Sequence, residues 1–214
     1  MSRLFMDPVH SVLTRLFASA EDQETGAGAR APHPVSEMSA QERADALATV
    51  YMPISAAGGK LVYTLVRAIR PTTVVEFGTS FAISTIHLAA AVADNGVGHV
   101  FTTELSRAKV DAAHANLVEA GLVNHVTILA GDALQTLVAV PGPIGVVLLD
   151  GWKEMCLPIL RSLEGRLASG AVIVADDTTF PSMREYLAYV RDPAQGYVSI
   201  DFPVEDGMEV SCRT

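Results

Sequence analysis

Cysteine is scarce in this chain: Cys156 and Cys212 are the two thiols among 214 residues. That excludes a disulfide framework, and both are expected to be buried, reduced and inert. Positive charge is in the minority, with 15 Lys and Arg against 24 Asp and Glu and a formal net charge of −9. Bulk nucleic-acid binding needs a basic footprint, so that partner class is excluded. Aromatic residues make up 6%, too few for composition to announce an aromatic pocket. No apolar run approaches the ~18 residues of a membrane span. The opening Arg3-Leu4-Phe5-Met6-Asp7-Pro8 has no signal-peptide pattern. The expectation is a cytoplasmic protein with no membrane partner. What is present is a chain half hydrophobic and 18% charged, the composition of one folded domain, which at this length buries roughly 70% of its unfolded surface.

Residues 1–20 read as a helix with Leu4, Val9, Leu13, Leu16 and Phe17 near one face. From Glu21 to Ser36 the composition shifts to Ala, Gly, Pro and acids, which reads as a mobile loop. Ser39 with Glu42 three residues later is a capping-box pattern, opening a helix to Met52. Another helix starts at Gly58-Gly59 and ends at Arg70, before Pro71. Beyond Pro71, β-branched runs alternate with Ala-rich amphipathic segments. The runs are Thr73–Phe77, His99–Thr103, Val126–Ala130, Ile144–Asp150, Ala171–Asp176, Tyr197–Phe202 and Met208–Arg213. The helices between and after them are Ser84–Ala93, Ala108–Ala120, Leu134–Val140, Leu157–Leu167 and Met183–Val190. Such alternation predicts an α/β fold, a mainly parallel sheet covered on both faces. The turn at Glu205-Asp206-Gly207 makes the last two runs a hairpin, so the final strand should be antiparallel.

Ligands of open α/β sheets bind beyond the carboxyl ends of the strands. Five successive runs end in acids: Glu76, Glu104, Asp132, Asp150 and Asp176-Asp177. The alternative is that these acids simply cap the following helices. The first loop, Glu76-Phe77-Gly78-Thr79-Ser80-Phe81-Ala82-Ile83-Ser84, lacks the G-x-G-x-x-G pattern of dinucleotide binders. It also lacks Lys and Arg, which counts against a phosphate ligand. Glu104 follows Gly78 by 26 positions, where an acid can accept from ribose hydroxyls. The ligand so described is a nucleoside without phosphates. Ala56-Ala57-Gly58-Gly59-Lys60-Leu61 is no Walker loop, because Ile54 and Leu61 stand where Gly and Ser or Thr are required. The six histidines show no metal-ligand spacing.

From about Met52 onward the chain resembles the class I S-adenosylmethionine-dependent O-methyltransferases of the catechol O-methyltransferase type. The resemblance rests on Met52-Pro53-Ile54-Ser55, Val75-Glu76-Phe77-Gly78 with Ser84, Thr103-Glu104, Leu149-Asp150-Gly151-Trp152-Lys153 with Leu157-Pro158, Ala175-Asp176-Asp177, and Tyr186 to Arg191. It implies a Rossmann-like fold: a seven-stranded, mostly parallel sheet with an antiparallel last strand, helices on both faces and extra N-terminal helices. Residues 1–36 would be an arm or lid and 37–214 the methyltransferase domain, working as a homodimer. Deletion of residues 1–35 is expected to change dimerisation or substrate affinity more than cofactor affinity.

The implied cofactor contacts are Ile54, Glu76, Gly78, Ser84, Glu104, Leu105, Asp132, Ala133, Asp150 and Trp152. The implied Mg²⁺ ligands are Asp150, Asp176 and Asp177. Lys153 is the implied general base, and Met52, Lys153, Asp177 and Asp201 the implied substrate contacts. Two departures stand out: Ala82 replaces a glycine, and Asp177 replaces an asparagine. Oxygen ligands suit a hard dication, which would orient a vicinal diol and lower its pKa. A lysine beside a metal cation and a sulfonium is expected to have a lowered pKa. The reading is a Mg²⁺-dependent O-methyltransferase acting on a small catechol-like hydroxyl substrate. The alternatives are a sugar or other non-aromatic hydroxyl, and a non-catalytic S-adenosylmethionine-binding protein.

Overall fold

The computed structural model describes residues 2–25, 38–204 and 206–214. Its helices are α1 (Val9–Thr25), α2 (Ala40–Ala46), α3 (Ala56–Ile69), α4 (Ile83–Asn95), α5 (Arg107–Glu119), α6 (Ala133–Thr136), α7 (Cys156–Leu163) and α8 (Arg184–Val190). Its strands are β1 (Thr73–Phe77), β2 (His99–Glu104), β3 (Val126–Ala130), β4 (Ile144–Leu149), β5 (Leu167–Asp176), β6 (Tyr197–Phe202) and β7 (Met208–Arg213). They form one seven-stranded sheet in the order β3-β2-β1-β4-β5-β7-β6. The first five strands pair in parallel, and β7 is antiparallel to both β5 and β6. This is the α/β architecture that the strand and helix pattern predicts.

Strand alternation divides the core into two layers, because successive side chains point to opposite faces. Val74, Val146, Leu148 and Val174 pack with Ile86 and Leu88 of α4 and Val62 and Val66 of α3. Val75, Val147 and Ile173 pack with Ile159, Leu160 and Leu163 of α7 and with Tyr186. Helix α1 joins the first layer through Val9, Val12, Leu13 and Leu16, with Leu4 of the preceding 3₁₀ turn, and it contacts α4 and α5.

The boundaries that differ from expectation have local causes. Helix α1 runs on to Thr25, and residues 26–36 of the expected loop lie outside those described. The capping box at Ser39 and Glu42 forms as expected, but α2 ends at Ala46 instead of Met52. Pro53 disfavours helical geometry at Met52, and Thr49-Val50-Tyr51 carries poor helix formers. Leu134–Val140 divides into α6 and a short 3₁₀ turn, Leu137–Ala139. Cys156 is buried, but Cys212 is exposed on the β6–β7 hairpin, beside exposed Val198. Among the described residues no helix is long and apolar enough to cross a membrane.

Candidate active site

Strand order reverses between β1 and β4, and the crevice beyond their carboxyl ends is the natural ligand site of such a sheet. Two backbone segments meet there. Phe77 O accepts from Asp150 N at 2.9 Å. A Cβ at Gly78 would come within 2.7 Å of Asp150 O, and Gly78 has φ +104. Only glycine permits that approach. The loop then turns through Ser80, φ 47, and Ala82, φ 69. A left-handed conformation costs a residue with a Cβ roughly 1–2 kcal/mol. Ala82 is fully buried and enters α4 without a side-chain cap.

Glu76 and Glu104 flank this loop. Glu76 is fully buried; its Oε2 accepts from Thr85 Oγ1 at 2.5 Å and Thr102 Oγ1 at 2.6 Å. Its Oε1 is buried with no hydrogen-bond partner. Burial pushes its pKa up to about 7, against the pull of the Ser84, Thr102 and Thr85 hydroxyls. Glu104 accepts three backbone N–H groups: Ser80 at 2.9 Å, Leu105 at 2.9 Å and Ser106 at 2.8 Å. A carboxylate offers about four acceptor sites, so capacity for a further donor remains.

Beyond β4 and β5 lies the charged cluster. Lys153 Nζ sits 3.0 Å from Asp150 Oδ1 and 2.9 Å from Asp177 Oδ2. Asp177 has φ 55, and its N–H donates to Asp176 Oδ1 at 3.0 Å. Burial raises Asp150, opposed by Lys153 and assisted by Asp177. Burial, then the charges of Asp150 and Asp177, raise Asp176 to about 7. Burial by itself would lower Lys153, but the Asp150 and Asp177 carboxylates outweigh it and raise the lysine. The lowered lysine expected from the sequence presupposed neighbouring cations; between two carboxylates the direction reverses. Among the described residues no three His, Cys, Asp or Glu side chains are placed to hold a metal ion. The donor chemistry nevertheless suits a hard dication: three carboxylates gather here, two of them disfavoured as anions by burial and mutual repulsion.

Helix α2 reaches this cluster through a residue that the sequence does not announce. The Arg43 guanidinium lies 4.5 Å from the Trp152 ring centroid and 2.6 Å from Glu154 Oε1, so it holds both neighbours of Lys153. No spacing or motif marks an arginine for that role; only the fold brings it there.

The remaining expected residues are placed less uniformly. Ser84 is buried in the first turn of α4. Asp132 caps α6, accepting from Leu134 N at 2.9 Å, so it does for certain what any acid at a helix start can do. Ala133 behind it is buried. Ile54 is buried where α3 begins, close to Gly58, and Met52 is exposed. Asp201 is not brought to the cluster. It lies on edge strand β6, exposed, 3.8 Å from Arg191, with β7 between it and β5.

Comparison with known proteins agrees with this geometry. Residues 75–178 match a family model described as a methyltransferase domain. A catechol O-methyltransferase of Mycobacterium tuberculosis is 34% identical over 134 residues, covering 62% of this chain and 60% of that protein. The catechol O-methyltransferase of Mus musculus is 29% identical over 65% of this chain and 55% of its own length. The chain thus spans little more than half the length of these relatives. Among solved structures, a cofactor-bound protein from MTB superposes with a TM-score of 0.69 at 26% identity, covering 92% of this chain and 95% of that one. The O-methyltransferase TomG from Streptomyces achromogenes, in complex with SAM, shares the fold at TM-score 0.68 and 24% identity, covering 83% and 91%. In sequence and fold this chain is similar to the class I S-adenosylmethionine-dependent O-methyltransferases of the catechol O-methyltransferase type, and residues 75–178 carry the match to the methyltransferase-domain model.

Proposed function

We propose that this protein transfers the methyl group of S-adenosylmethionine to a hydroxyl of a small vicinal diol, with Mg²⁺ as the assisting cation. The observation that carries the reading is Lys153 held between Asp150 and Asp177 at the rim where β1 and β4 diverge. A cationic residue gripped by two acids beside a ligand crevice is costly to build and useful for moving a proton.

The residues divide the work. Glu76 Oε1, a buried acceptor without a partner, suits the ammonium of the methionine part. Gly78 lets the backbone approach it. Glu104 has capacity for a ribose hydroxyl, and Trp152 offers an apolar wall for the adenine. Asp150, Asp176 and Asp177 would hold the magnesium ion, which when bound supplies Lewis acidity and a template for two adjacent oxygens. With those carboxylates so engaged, Lys153 would release its own proton to solvent, and its neutral Nζ would accept the proton of the acceptor hydroxyl. The oxygen attacks the methyl carbon from ~3 Å in line with the carbon–sulfur bond, and sulfur leaves with the electron pair. The catechol O-methyltransferase relatives favour a catechol acceptor, and the same reading expects a homodimer, which sedimentation tests.

The deciding experiment is calorimetric titration with S-adenosylmethionine, followed by methylation of 3,4-dihydroxybenzoate with Mg²⁺ and with EDTA. Binding plus EDTA-sensitive methylation supports every part of the proposal. Binding without methylation removes the catechol, and absence of binding removes the enzyme reading.

A further inference from the structure

The loop from Gly78 to Ala82 is strained at Ser80 and again at Ala82. Phe81, between them, is gripped twice from outside. Its carbonyl accepts from Asn116 Nδ2 of α5 at 3.0 Å, and Asn116 Oδ1 in turn accepts from Arg15 of α1 at 3.0 Å. Arg15 is fixed further by Glu119 at 2.6 Å. The Phe81 ring stacks on Tyr51, with centroids 4.0 Å apart and planes 13° from parallel, and buried Lys109 Nζ lies 5.5 Å from the same ring. Tyr51 N donates to Gln23 Oε1 at 2.6 Å, and Gln23 Nε2 donates to Thr49 O at 2.9 Å. Arg15 and Gln23 belong to one helix, so both grips lead back to α1.

We propose that α1 is a brace for the cofactor loop: through Arg15–Asn116 and Gln23–Tyr51 it holds Phe81, keeps Ser80 and Ala82 in their left-handed turns, and so sets cofactor affinity. The proposal rests on the S-adenosylmethionine reading above. It gives the N-terminal helix a task opposite to the one expected from the sequence, where its loss would act on dimerisation or substrate binding. The mechanism is preorganisation. A loop already held in its binding shape does not lose that ordering free energy again when the ligand arrives. Ser80 N, inside the braced turn, also donates to Glu104, so the shape of the loop fixes the orientation of that carboxylate as well.

Asn116, Arg15 and Gln23 are positioning residues, and the test separates positioning from mere stability. Asn116→Asp keeps an oxygen for Arg15 but loses the donor to Phe81. Calorimetry with S-adenosylhomocysteine should show about tenfold weaker binding, the worth of one partly buried hydrogen bond. Arg15→Ala and Gln23→Ala, at less buried positions, should each weaken it about threefold by the same rule. In turnover assays KM for S-adenosylmethionine rises while kcat stays within about twofold, as for lost binding that is uniform along the reaction. Ala82→Gly supplies the distinguishing background: with glycine the turn needs less holding, so the further loss on adding Asn116→Asp shrinks to about twofold, a coupling that independent sites do not show. Hydrogen exchange at residues 79–83 should quicken in Asn116→Asp while β4 is unchanged, which keeps the test alive if one variant folds poorly. Wild-type protein that binds no S-adenosylhomocysteine overturns the cofactor reading and the brace with it. Wild type that binds, with all three single variants within twofold of it, overturns the brace alone, as does an equal loss in both backgrounds.

Discussion

Lys153 Nζ and Asp177 Oδ2 meet at 2.9 Å, joining the loop after β4 to the loop after β5. Asp150 completes the grip from the other side at 3.0 Å. If this lysine takes the acceptor's proton, Lys153→Ala loses about 10²–10⁴-fold in kcat, the usual worth of general acid–base catalysis. Its affinity for S-adenosylhomocysteine stays within about twofold, because Lys153 acts on the acceptor side. Lys153→Arg keeps the charge between the carboxylates, so it should fold like wild type yet remain impaired. Equal turnover in wild type and both variants removes the base role.

Metal dependence is tested at Asp176, where burial and two neighbouring carboxylates raise the pKa to about 7. Asp176→Asn removes one of three anionic donors from a cation that prefers oxygen ligands. Half-saturation by Mg²⁺ should rise at least about tenfold, as for loss of one charged ligand interaction of ~1.4 kcal/mol. An unchanged Mg²⁺ dependence would show that the cation, if required, binds elsewhere.

Acid should weaken the contact between α3 and α4 through His87. A Cβ at Gly59 would come 2.7 Å from the imidazole, which shows how closely the helices approach. Burial lowers His87 from 6.5 to about 4, opposed by its bond to Ile83 O. Between those values the unfolded chain binds the proton and the folded chain does not, so stability is lost as pH falls from about 6.5 toward 4. Glu76, raised to about 7, works the opposite way: its contribution falls as pH rises from its ordinary 4.5. Asp176, also raised to about 7, works with Glu76, so a difference measurement is needed to isolate the histidine. Urea unfolding of wild type and His87→Leu should show the gap moving toward the variant by roughly 2–3 kcal/mol between about pH 7 and pH 4.5. A gap that does not change with pH would mean that His87 titrates normally.

Ala82→Gly should be nearly neutral for stability. It relieves about 1–2 kcal/mol of left-handed strain, but it gives up about 0.8 kcal/mol of methyl burial and some unfolded-state entropy. Ala90→Gly, equally buried but in the middle of α4, has no strain to relieve and should cost about 2 kcal/mol. Similar losses at both positions would show that Ala82 is not strained.

Strand positions were legible because Val- and Ile-rich runs between turn residues have few alternatives once they alternate with helices. Reading the ends of those strands points to Glu76, Glu104, Asp150 and Asp176, which the sheet sets at one rim. Asp201 is set apart from the cluster by β7, and position along β6 does not show in the sequence which strand intervenes. Arg43, Tyr51 and Asn116 were illegible because their roles depend on partners far away in the chain, such as Phe81, 35 residues before Asn116. The sequence shows which charges exist near Lys153 but not that two carboxylates, with no cation bound, raise it.

The union of Arg15 with Asn116 also has a consequence in time. The two are separated by 101 positions. A ribosome adding about 5–20 residues per second delivers the second roughly 5–20 s after the first. For most of that interval Leu4, Val9, Val12, Leu13 and Leu16, all buried in the finished molecule, have no α4 to pack against, and α5 is complete only after it. The nascent chain therefore carries an apolar stripe until α4 and α5 are made, when it is most open to aggregation, and slower translation or a chaperone that shields short amphipathic helices should change the yield of native protein more than its final stability.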